Sequence, residues 1–225
     1  MVAAFAGMVG LCCAQARPQR PTHPSQSPAS RADDGQVYRN AELGFSYRIP
    51  FGWVDRTESL AAAQTKTNTE TGDAAAETKG AAASKDHPGE QAKVLLGIFE
   101  RPPEVTSDSV NSAVVIAYES TASYPGLKRA EDYVGAITQV ATAQGFKMVG
   151  EAYPIEVESR SLVRADFVKS LSIKGQESAI TMRQSTLIWV SGKRVMSFTF
   201  IAAGEDELDE IMDGLHFVPG KVLPR

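Results

Sequence analysis

The chain has 225 residues, 23 Lys and Arg against 27 Asp and Glu, and a formal net charge of −4. Its 43 % hydrophobic content is enough for a packed core and excludes a wholly disordered chain. The slight acidity argues against a nucleic-acid binder built on a basic stripe. Its two cysteines, Cys12 and Cys13, are adjacent and provide neither a disulfide framework nor a four-ligand zinc site.

Val2 to Leu11 is apolar and small, and Ala14-Gln15-Ala16 follows, with Ala14 and Ala16 at the −3 and −1 positions of a signal-peptidase site. The run is shorter than the ~20 residues that span a bilayer. It reads as a secretory signal, residues 1–16, cleaved after Ala16. No Lys or Arg precedes the run, so the true start could lie upstream. A lipoprotein anchored through Cys13 is a weaker reading, because Gly10 stands where an aliphatic residue is wanted. Cleavage would remove both cysteines, which suits an oxidising compartment. The expected address is secreted or periplasmic, with no transmembrane segment in the mature chain.

Residues 17–34 carry Pro18, Pro21, Pro24 and Pro28 and no apolar periodicity, so they read as a disordered linker. A single domain over 35–219 follows, then a tail at 220–225. Val37–Arg39 and Phe45–Ile49 alternate as short strands, with Asn40–Gly44 as the turn. Trp53–Arg56 is a third extended piece. Residues 58–91 are rich in Ala, Thr, Glu, Lys and Gly, with Leu60 as the one large apolar side chain. They read as a low-complexity insertion with fraying helical turns at most, and they carry six acidic residues against three lysines.

Lys93–Glu100 reads as a buried strand stopped by Pro102-Pro103, and Ala113–Glu119 as the next. Leu127–Gln144 reads as the main helix. Ala130, Tyr133, Val134, Ile137, Val140 and Ala141 lie on its core face, and Gly145 is its stop. Strands at Phe146–Gly150, Tyr153–Val157, Ser161–Lys169, Ala179–Val190 and Arg194–Ile201 complete the sheet. Glu205–Leu215 is a closing helix with acids in its first turn, favourable against the helix dipole. Short connections rule out most parallel crossovers. The expected class is α+β, a twisted, mostly antiparallel sheet flanked by helices.

Tyr38-Arg39-Asn40 and the segment Leu43 to Trp53 carry the pattern Gly-Phe-x-hydrophobic-x-x-Pro-x-x-Trp in Gly44–Trp53. This resembles the opening of Mog1/PsbP-like domains, and Phe198-Thr199-Phe200 with Leu215-His216-Phe217 fits the close of such a domain. The resemblance implies an α/β/α sandwich, usually without catalysis. Its members are accessory proteins with unrelated partners: photosystem lumenal subunits, a nuclear-transport GTPase partner, and secreted bacterial proteins. It therefore implies fold and not function.

The residues assemble no catalytic set, cofactor site or metal site. His23 and His87 lie in soft segments. His216 has Asp213 three residues before it, but no Gly-x-Ser-x-Gly elbow exists to supply a nucleophile. Glu100, Glu119, Glu151, Glu156, Glu158 and Asp166 could furnish the carboxylate pair of an extracytoplasmic hydrolase, which is the alternative to a binding protein. Arg160, Arg164, Lys169, Lys174 and Arg183 alternate with Glu158, Asp166 and Glu177 as a mixed-charge sheet face. Tyr118 and Tyr124, in the segment before the main helix, are the candidate loop for contact with an unknown protein partner. Trp53 is expected to cap the core beside Phe45.

Overall fold

A computed structural model describes residues 36–70, 92–105, 107–172 and 179–218. The expected signal, linker and tail lie outside these, as do Cys12, Cys13, Ala14, Ala16, His23, His87, Lys174 and Glu177.

Alternating apolar and polar residues generate most of the architecture. Strands β1 (Val37–Asn40), β2 (Phe45–Arg48) and, from the far end of the chain, β11 (Leu215–Phe217) make a three-stranded antiparallel sheet in the order β1-β2-β11. A second sheet holds β3 (Val54–Asp55), β4 (Lys93–Phe99), β5 (Ala113–Ser120), β6 (Lys147–Met148), β7 (Tyr153–Val157), β8 (Arg160–Leu171), β9 (Ile180–Ser191) and β10 (Arg194–Ala202). Its order is β3-β4-β5-β10-β9-β8-β6, with β7 also on β8, and every pairing is antiparallel. The class is α+β, as expected. The division into two sheets is not legible in the alternation, because a strand's period does not say which neighbour it pairs with.

Each long strand buries both faces. On one face, Leu162, Leu187, Trp189, Met196, Phe198 and Phe200 meet Phe45 and Tyr47 of β2 and Phe217 of β11. Phe198 lies at the centre, edge-on to Phe45 at 5.3 Å and to Phe217 at 6.0 Å. Helix α3 (Glu205–Met212) closes this layer with Leu208 and Ile211. Trp53 is partly buried against the same cluster.

The opposite face carries α2 (Val134–Ala143), preceded by a 3-10 turn at Ala130–Tyr133. Tyr133, Val163, Ile188 and Val195 form one apolar cluster there, and Ala141, Phe146, Ala165 and Phe167 another. The helix is shorter than the expected Leu127–Gln144. The Asp132 carboxylate accepts the backbone N–H groups of Lys128 and Arg129, both at 2.9 Å, and so starts the helical turn late. Those N–H groups hold the Asp132 carboxyl below its ordinary range. Val140, expected on the core face, is 57 % exposed; Val134, Ile137 and Ala141 make the contacts with the sheet instead.

Helix α1 (Thr57–Glu70) stands where sequence periodicity predicts only a soft insertion; residues 71–91 of that segment lie outside the described residues. Its few apolar residues, Leu60 and Ala61–Ala63, are consecutive and so spread around the helix, and no stripe announces it. It docks on β4 by Leu60, which fills the space above Gly97 that any side chain there would need. The Thr57 hydroxyl also accepts from the Gly97 N–H at 2.9 Å. The register Gly97–Val115–Thr199–Thr186–Ala165 puts α1 and α2 on the same sheet face.

Candidate functional site

Strand alternation sends Arg164, Asp166 and Val168 of β8 to the same face as Leu162, but past the small sheet and beside α3. There a cleft of about 240 Å³ opens between β8, β9 and α3. Val149, Arg164, Asp166, Val168, Arg183, Glu205, Leu208 and Asp209 line it, together with Phe167 and Gln184. Leu208 forms the apolar wall, since α3 turns it inward while Glu205 and Asp209 stay on the rim.

The floor is an ion pair. Arg164 Nε donates to both Asp166 oxygens, at 2.8 and 3.1 Å, and the Tyr153 hydroxyl donates to Asp166 at 3.1 Å. Burial opposes the Arg164 charge, but Asp166 more than offsets this and keeps the guanidinium above its ordinary pKa. Burial and then Asp166 push the Tyr153 phenol up. On the rim, Arg183 meets Glu205 at 3.0 Å and Arg164 reaches Asp209 at 3.9 Å. Both rim carboxylates are about 70 % exposed, so these contacts are weak and exchangeable. Ser185, the cross-strand partner of Asp166, is fully buried, and its hydroxyl has no hydrogen-bond partner among the described residues. Val149 and Tyr153 stand at the border, 49 % and 43 % exposed.

Sequence reasoning names Arg164, Asp166 and Arg183 as part of a mixed-charge face, and their pairing agrees with that. It takes the acids of α3 as a solvated outer face, and so misses that Glu205 and Asp209 share a cleft with them. The signal that could have found them is the i, i+4 spacing of Glu205 and Asp209 around inward Leu208.

Tyr118 lies within β5 rather than in a loop. Its ring is half-buried, with Arg194 at 5.0 Å and Lys93 at 5.9 Å from its centroid. Tyr124 is in the following loop and folds back, so that its hydroxyl and that of Tyr133 both donate to the Glu119 carboxylate. The two rings meet edge to face at 5.0 Å. Burial, then Glu119, pushes the Tyr124 phenol up to about 12, and the same causes raise Tyr133 further. Glu119 thus binds the loop and the start of α2 to the sheet.

His216 is paired differently from the Asp213 expectation. Helix α3 ends at Met212, before Asp213, and Nδ1 of His216 on β11 lies 3.1 Å from Glu158, in the tight turn between β7 and β8. Glu158 has a φ of +53°, unusual for a residue with a side chain, and its other oxygen accepts the Phe217 N–H at 2.8 Å. The carboxylate therefore caps the free edge of β11 and ties the small sheet to the large one. Of the other candidate acids, Glu100 pairs with Arg101 at 3.4 Å, while Glu151 and Glu156 are exposed. Among the described residues no three His, Cys, Asp or Glu converge on a metal-sized site, and no helix is long and apolar enough to cross a membrane.

No family model and no curated protein matches the chain. Solved structures are similar to it in fold. One is the cyanobacterial PsbP (CyanoP) of Synechocystis sp. PCC 6803, at 14 % identity and a TM-score of 0.43 over 87 % of this chain and 99 % of that one. A protein of Bacteroides thetaiotaomicron VPI-5482 matches at 12 % and 0.37, over 85 % of this chain and 52 % of that one. LpqN, involved in cell envelope biogenesis of Mycobacterium tuberculosis, matches at 13 % and 0.34, over 84 % and 88 %.

Proposed function

We propose that this chain is an exported, non-catalytic binding protein that receives a partner's side chain in the cleft between β8, β9 and α3. The cleft itself carries the reading. At about 240 Å³ it is smaller than the ~300–1,000 Å³ of small-molecule sites, yet large enough for one protruding side chain. Its border offers Tyr153, Arg164 and Arg183, residue types that dominate protein interfaces. The carboxylate best placed for chemistry, Asp166, is already committed to Arg164 and Tyr153.

Export rests on the apolar leader and the Ala14-Gln15-Ala16 site. The mature chain then begins at Arg17, and intact-mass measurement of the protein from the extracytoplasmic fraction of its host reads this directly. For the binding role, the test is in-host cross-linking of the wild-type chain and of Arg183→Glu. A discrete adduct that Arg183→Glu abolishes is the expected result. An adduct pattern indifferent to Arg183 and Arg164 charge reversal contradicts the cleft as the binding place.

A further inference from the structure

We draw no further inference here: the strongest candidate, the turn between β2 and β3 whose Phe51 is fully exposed, has nothing in the structure to show what covers it.

Discussion

Two polar side chains show how burial sets the sign of a substitution. The Ser185 hydroxyl is fully buried without a partner among the described residues, so it costs desolvation and returns nothing. Ser185→Ala should therefore stabilise the fold by about 1 kcal/mol in urea denaturation, where most core changes destabilise. Glu119 is the opposite case. Its carboxylate takes the hydroxyls of Tyr124 and Tyr133, and Glu119→Ala strands both donors in a half-buried site. The expected loss is about 2–3 kcal/mol.

The same residues set a response to alkali. Both phenols are raised in the folded state, Tyr124 to about 12 against an unfolded value of 10.0. A raised folded pKa means that the unfolded chain releases its proton first. Their contribution is thus complete below pH 10 and is lost as pH climbs through about 12. Tyr47, buried and donating to the Ile211 carbonyl at 2.8 Å, adds to this. Stability measured by denaturant midpoint should fall above about pH 10, and less steeply in Tyr124→Phe/Tyr133→Phe, which retains the Tyr47 and Tyr153 parts.

Among the elements, β11 depends most on a residue far away in sequence. Glu158 accepts the Phe217 N–H and faces His216, so it substitutes for the missing neighbour strand. Glu158→Gln keeps an acceptor and should be mild. Glu158→Ala should cost about 1–2 kcal/mol and speed amide exchange at Phe217 first. Alternation made β1, β2, β7 and β10 legible from the sequence nearly to their ends, and helical spacing found the start of α3, whose expected end at Leu215 falls in β11 instead. Helix α1 was not legible: it has no apolar stripe, and its one anchor, Leu60, needs Gly97 on a strand that begins more than thirty residues later. The His216–Glu158 contact was hidden for the same reason. Local spacing suggested Asp213, whereas the partner is supplied by strand topology.

For the whole molecule, two sheets and α3 leave one cleft wall acidic and the other basic, and the balance depends on which pairs a partner can replace. The floor pair of Arg164 and Asp166 is about a quarter exposed or less, while the rim acids are open to exchange. A site of this kind is assembled by side chains from β8, β9 and α3, and sequence order separates Arg164 from Asp209 by forty-five residues. The sequence could therefore nominate the charges but not the cavity. The most direct measurement of the binding role is site-specific photo-cross-linking from Val149, on the cleft border, compared with a probe at Glu131 on the opposite sheet face. In the host's extracytoplasmic fraction the account predicts one discrete adduct from Val149, absent from Glu131 and lost in Arg183→Glu. No adduct from Val149, or equal labelling from both positions, would contradict it.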